Sequence, residues 1–199
     1  MSILGEPRRA DARRNLERIL DAAAERIAVD VGVSLEQIAA AAGVSRATLY
    51  HHFAGRDALL DALTARSVAE VSAAIAAARP DEGRAGEALE RVLLAAWQVV
   101  GRYRGLVIIN PQRLERAELR ARLGPALGPV RALIRRGQAA GEFDAGLPVE
   151  WLLGLLTDVI HAASRQVTAG AMDVAAAERA MLRSATALLA RPSVPRRQT

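Results

Sequence analysis

Six side chains with hydrogen-bonding chemistry fall within eight consecutive residues: Ser45, Arg46, Thr48, Tyr50, His51 and His52. Together they supply a guanidinium, three hydroxyls and two imidazoles, and no carboxylate. Such a set suits hydrogen bonding to base edges and phosphates better than bond making. Nothing elsewhere in the chain argues for catalysis. There is no Gly-rich phosphate loop, no nucleophile elbow and no pair of inward carboxylates at a recognisable spacing. No cysteine is present, which excludes disulfides, thiolate zinc sites and cysteine nucleophiles. No catalytic residue, cofactor or metal is therefore expected, and the protein is read as a non-enzyme.

Two short helices must hold those residues. Ser34, followed three positions later by Gln37, is a capping-box start: its hydroxyl takes a free backbone N–H of the first turn. Leu35, Ile38, Ala39 and Ala42 then fall on one face, and Val44 carries the apolar surface into the turn. Gly43 sits just past the last periodic residue, where a positive φ is needed that glycine adopts freely. Ser45 caps the next helix, whose inner face is Leu49 and Phe53, four residues apart. That leaves Arg46, Thr48, Tyr50, His51 and His52 facing outward, as on a helix that enters a major groove. The bland alternative is a helical hairpin with a wet outer face. The Tyr-His-His cluster argues against it, because solvation alone rarely selects such side chains.

The stretch from Arg18 to Leu63 also resembles the N-terminal domain of the TetR/AcrR family of bacterial transcriptional regulators. The residues that carry the likeness are RILDAAAERIA, then SLEQIAAAAGVSRATLYHHF, then RDALL from Arg56. By that resemblance Ser45, Arg46, Thr48, Tyr50, His51 and His52 occupy contact positions of the recognition helix. Ser34 and Arg56 occupy the phosphate-contacting starts of the second and fourth helices. The chain departs from the family in having Gly55-Arg56 where Ser-Lys is usual, which keeps the charge and loses a capping hydroxyl. Its link from Val29 to Val33 is shorter by about two residues, and Arg26-Ile27 replaces a common Leu-Phe pair. Both changes bear on the tilt of the first helix.

Composition agrees with a helical protein. Half of the 199 residues are apolar, yet only 3% are aromatic, and alanine is abundant. No stretch approaches the roughly 20 apolar residues of a membrane span, and no signal peptide is evident. A cytoplasmic location and no membrane partner are expected. All 27 basic residues are Arg, for a net charge of +5. Residues 1–56 hold eight Arg against seven acids, so bulk charge is a weak argument for DNA. Placement matters more. Arg8, Arg9, Arg13 and Arg14 precede or open the first helix, as an arm that reaches phosphates or as a solvated leader.

Past residue 65 the reading rests on periodicity. A long helix runs from Arg56 to Ala78 and another from Arg84 to Tyr103, the latter buried through Leu89, Val92, Leu93, Ala96, Trp97 and Val100. Gly105, Pro111, Gly124, Pro125, Gly128 and Pro129 are expected to break the next stretch into short pieces, with a helix resuming from Val130 to Ala140. The helices Val149 to Ala169 and Val174 to Leu189 are apolar on more than one face and call for self-association. The resemblance assigns them to a four-helix bundle between two subunits, which would set two reading heads roughly 34–36 Å apart on DNA.

On the helix from Val149, Asp158, His161 and Arg165 share a face with Trp151 and Gly154, opposite Leu152, Leu156, Val159 and Ala163. This stripe is a wall of an effector pocket completed by Trp97, Tyr103 or Asn110, a dimer seam, or a wet rim. It lacks a third ligand for a metal. The seven Arg between Arg113 and Arg136, against two Glu, read as the solvated side of surface helices.

The expected architecture is all-α: an N-terminal three-helix bundle with a helix-turn-helix in residues 1–56, a larger helical effector-binding and dimerisation domain in 57–190, and a disordered tail in 191–199. The expected function is a homodimeric repressor. It would bind a palindromic or near-palindromic double-stranded operator and leave it when an unidentified small-molecule effector binds. The alternative is a regulator of the same fold that activates, or that works without a small ligand.

Overall fold

The computed structural model describes residues 6–190, and these form helices with no strand among them. In order they are α1 (Glu6–Val29), α2 (Leu35–Ala41), α3 (Arg46–His52), α4 (Arg56–Ala77) and α5 (Ala85–Arg102), then α6 (Arg104–Arg113), α7 (Arg116–Ala139), α8 (Val149–Thr168) and α9 (Val174–Leu189). The all-α expectation holds. The tail at 191–199 lies outside the described residues.

Two apolar cores organise these helices. The first joins Ile19, Ala23 and Ile27 of α1, Ile38 and Ala39 of α2, Leu49 of α3 and Leu59, Leu60 and Leu63 of α4. It runs past residue 56 and also takes in Tyr103 and Leu106, from the junction of α5 and α6. The second joins Leu89, Val92, Leu93 and Trp97 of α5 to Leu133 and Ile134 of α7, Leu152 and Leu156 of α8, and Met181, Ala185 and Leu189 of α9. Helix α4 enters both, since Ile75, near its far end, belongs to the second core. A helix of this length spans roughly 33 Å at 1.5 Å per residue, so it is the strut between the two cores.

Two sequence expectations need correction. The stretch after Gly105 is not fragmented: α6 tolerates Pro111 in its last turn, and α7 runs unbroken through Pro125 and Pro129. These two prolines are exposed, whereas Ala126, Val130, Leu133 and Ile134 are buried. The backbone carbonyls that the missing N–H groups would have bonded, those of Ala121 and Pro125, therefore lie on the solvent side of the helix, where water can satisfy them. Burial of the opposite face keeps the helix whole. The second correction concerns the N-terminal arginines. Helix α1 already starts at Glu6, so Arg13 and Arg14 lie inside it and not in a leader, and they pair with Glu17 (3.2 Å) and Asp11.

The last two helices, α8 and α9, have the predicted extents to within a residue and pack against each other. Helices α5 and α6 meet at a bend of 77° around Tyr103, and no single described helix is long and apolar enough to cross a membrane.

Candidate nucleic-acid interface

The turn between α2 and α3 is built from local rules. Ser34 has extended backbone angles, its hydroxyl accepts from the Gln37 N–H (3.2 Å), and the Gln37 side chain accepts from the Ser34 N–H (2.9 Å). The capping box is complete. Gly43 takes φ +63°, as the turn requires. Its carbonyl accepts from the Arg18 guanidinium (3.1 Å), which ties the turn to α1. Ser45 caps α3 by accepting from the Thr48 N–H (3.0 Å), and its hydroxyl also meets the Thr48 hydroxyl (2.8 Å). Leu49 is fully buried and Phe53 nearly so. Burying a leucine of this kind stabilises by roughly 1.5–3 kcal/mol, which seats α3 on the first core.

What projects from α3 is the expected set, with distinctions the sequence did not carry. Arg46, Tyr50 and His51 are exposed, while Thr48 and His52 are half-buried. The Arg46 guanidinium lies 5.3 Å from the Tyr50 ring centre, an i,i+4 stacking that gathers the two into one unit. It also reaches the Glu36 carboxylate of α2 at 3.2 Å. That carboxyl is held below its usual range, first by its own backbone N–H, then by the Ser34 hydroxyl, with Arg46 adding to the effect. Glu36 thus orients Arg46 in the free protein and competes with any phosphate for it. His51 and His52 meet edge to face at 5.8 Å.

Arg56 sits where the fourth helix begins, and no side chain caps that helix, in keeping with the loss of a hydroxyl at Gly55. Its guanidinium donates to the carbonyls of Val31 and Val33, clamping the α1–α2 link onto α4. The residue that resemblance places at a phosphate is thus also the strap that holds the short link in register.

The six candidate effector residues do not converge. Trp97 is buried and lines a cleft of about 210 Å³ with Gln98, Gly101, Arg104, Ser164, Val167 and Val174. Tyr103 faces the first core, and its hydroxyl donates to Glu70 (2.7 Å). Burial, then that bond to Glu70, push its phenol up to about 12. Asn110 is buried and bonded through its amide to the Thr64 hydroxyl of α4 (3.1 Å). Asp158 and Arg165 are exposed on the outer side of α8, with Trp151 (58% exposed) and Gly154 beside them. His161 is half-buried between them. Burial, and then Arg165, push its imidazole below its usual value against the pull of Asp158.

Contacts between the head and the larger body were invisible to spacing rules, because their partners lie far apart in sequence. Arg66 of α4 reaches Asp21 of α1 (2.5 Å) and Glu70 (3.1 Å), and Glu70 also receives Arg102 (3.1 Å) and Tyr103. Asp61 of α4 receives Arg113 of α6 (2.9 Å) and Arg122 of α7 (2.8 Å). Partial burial works against ionisation there, but those two guanidinium bonds win and hold the Asp61 carboxyl below its usual range. Gly105, at the start of α6, lies so close to Ile27 of α1 that a side-chain carbon would collide with the Ile27 carbonyl and side chain.

Comparison with known proteins agrees with this geometry. Residues 19–63 match the family model of bacterial regulatory proteins, tetR family. No curated protein matches the sequence significantly. Among solved structures, the chain is similar to the TetR-like transcriptional regulator LfrR from Mycobacterium smegmatis in complex with proflavine: 27% identity, TM-score 0.72, covering 92% of this chain and 99% of that one. It is also similar to a putative tetR family transcription regulator from Shewanella sp. PV-4, at 26% identity and TM-score 0.65, covering 88% and 98%. The fold recurs in FadR from Bacillus subtilis in complex with stearoyl-CoA, at 21% identity and TM-score 0.66, covering 87% and 98%. The capped helix-turn-helix, the matched segment and the shared fold lead to one assignment: residues 19–63 are a DNA-binding segment of the tetR family type, carried on a chain with the TetR-like fold.

Proposed function

We propose that this protein is a homodimeric, cytoplasmic repressor that binds a palindromic operator and is released from it by a small molecule. The observation that carries the reading is the α3 surface. Arg46 and Tyr50 are stacked, exposed and seated on a helix whose two ends are fixed by Ser45 and the buried Phe53. In this reading Arg46, Tyr50, His51 and His52 meet bases, Ser45 and Thr48 meet base edges or backbone, and Ser34 and Arg56 meet phosphates.

Effector response is supported by two considerations. LfrR and FadR were solved with small molecules bound, proflavine and stearoyl-CoA. In this chain the head is tied to the larger body by the Asp21–Arg66–Glu70–Tyr103 set, by Asp61 and by the α6–α1 contact at Gly105. A ligand that prefers one arrangement of α6 must therefore shift the head, and DNA must weaken that ligand in return. The test is a gel shift with DNA from beside the protein's own gene. Sequence-specific binding is expected, and a protein that binds this DNA no better than random DNA of equal length would overturn the reading. A ligand affinity that saturating operator leaves unchanged would overturn the coupling.

Dimerisation is assigned to the outer side of α8 and α9. There Trp151 and Gly154 are exposed, and a side-chain carbon at Gly154 meets nothing within 4 Å. Gly154→Arg is thus expected to leave the subunit folded while splitting the dimer. Sedimentation should give half the wild-type mass with an unchanged helical circular dichroism spectrum. A Gly154→Arg protein that stays dimeric places the seam elsewhere.

A further inference from the structure

Ser164 is the polar group on α8 that the fold leaves unexplained. A serine or threonine in a helix normally satisfies its hydroxyl by bonding back to the carbonyl four residues earlier. Thr157 does so to Leu153 (2.9 Å) and Thr168 to Ser164 (3.0 Å), on the same helix. The Ser164 hydroxyl makes no such bond. The residue is 2% exposed and its oxygen has no partner among the described residues. A buried polar atom without a partner is uncommon and calls for a cause, such as a group that arrives from outside.

Ser164 lines the cleft of about 210 Å³ between α5, the start of α6, the end of α8 and the start of α9. Trp97 stands in the wall with its indole, also without a hydrogen bond among the described residues, and Val167 and Val174 complete the apolar surface. Gln98 and Arg104 supply the remaining polar atoms. Arg102, two residues earlier, has a carboxylate in Glu70, whereas Arg104 has none among the described residues. No acid lines the cleft, and the nearby Asp173 is occupied in capping α9 through the Ala176 N–H (2.7 Å).

One uncompensated cation, one buried hydroxyl and an indole between apolar walls define a chemistry. We propose that this cleft binds a small aromatic carboxylate, with the carboxylate at Arg104, the Ser164 hydroxyl donating to it, and the ring against Trp97. The proposal rests on the effector-responsive reading above and gives that effector a class. Size supports it, since the cleft lies below the roughly 300–1,000 Å³ typical of sites for drug-sized ligands. Position supports it too: Arg104 is next to Gly105, whose backbone touches α1, so drawing Arg104 toward an anion pulls on the contact between body and head.

Calorimetric titration of the full-length protein with benzoate and with its neutral isostere benzamide tests this. Benzoate is expected to bind saturably and at least about tenfold more tightly than benzamide, since a charge-assisted bond is worth a factor of this size. Arg104→Gln should reduce benzoate to the benzamide level. Ser164→Ala should weaken benzoate by about threefold to tenfold while the ligand-free Tm stays level or rises, because no internal bond is lost. With Trp151→Phe, Trp97 is the only indole left, and its emission should move as benzoate binds. Equal affinity for benzoate and benzamide, benzoate binding indifferent to Arg104→Gln, or no saturable binding by the wild type would each overturn the proposal. Failure of the benzoate titration in a protein that still shifts its upstream DNA removes the subsite alone. Failure to shift that DNA, with benzoate binding intact, removes the operator reading alone.

Discussion

Gly105→Ala is expected to destabilise the protein by about 1–3 kcal/mol and, with no DNA-facing residue altered, to weaken operator binding as well. The added carbon has no room. It would meet the Ile27 carbonyl and side chain, and a backbone carbonyl in the middle of a packed junction cannot step aside as a flexible side chain would. Either α6 lifts from α1 or α1 tilts, and the second outcome moves α3 with it through the first core. For a chain of this size each kcal/mol corresponds to a Tm shift of roughly 2–4 °C, so thermal melting resolves the effect. Gly124→Ala supplies the control. Nothing lies within 4 Å of its added carbon, and the residue is inside α7, so a neutral or slightly stabilising change is expected there. Equal effects at the two glycines would show that the α1–α6 approach carries no special constraint.

Arg46→Ala is expected to cost the operator complex about 1–3 kcal/mol, some 5- to 150-fold in affinity, while binding to random DNA falls much less. Tyr50→Ala should approach the same loss through a different route. It removes the ring against which Arg46 lies at 5.3 Å, so the guanidinium loses its orientation along with the tyrosine's own contact. Tyr50→Phe keeps the ring and should retain most of the affinity if stacking matters more than the hydroxyl. Glu36→Gln makes the complementary case: freeing Arg46 from its 3.2 Å ion pair should strengthen binding to any DNA and flatten sequence discrimination. Fluorescence anisotropy with operator and scrambled duplexes at one salt concentration separates these outcomes. If Arg46→Ala loses operator and scrambled DNA equally, Arg46 is a phosphate contact and not a base reader.

The reading head was legible in the sequence because its devices are local. Ser34 and Gln37 are three residues apart, Gly43 follows the last apolar position, and Ser45 precedes Thr48 by three. Each is a contact within one helical turn, which spacing alone specifies. Misreadings arose where a distant partner decides. Pro125 and Pro129 look like breaks until the burial of Ala126, Val130 and Leu133 on the other side of α7 is known. The partners of Tyr103 and Asn110, Glu70 and Thr64 of α4, were likewise beyond the reach of spacing. Arg56 was legible as a cation at a helix start, but its bonds to the α1–α2 link depend on a meeting more than twenty residues away. The unpartnered hydroxyl of Ser164 could not be foreseen at all, since it is defined by which neighbours fail to reach it.

The first core has a consequence for modularity. Its walls come from α1 to α4, but Tyr103 and Leu106 close it from a point some forty residues further along the chain. The head is therefore not an excisable cassette. A chimera that grafts another regulator's head onto this body, cut anywhere in α4, inherits a floor shaped for a different set of side chains. Exchanging residues 103–106 together with the head should restore the fit, which makes the heritable unit of DNA specificity discontinuous in the gene although continuous in space.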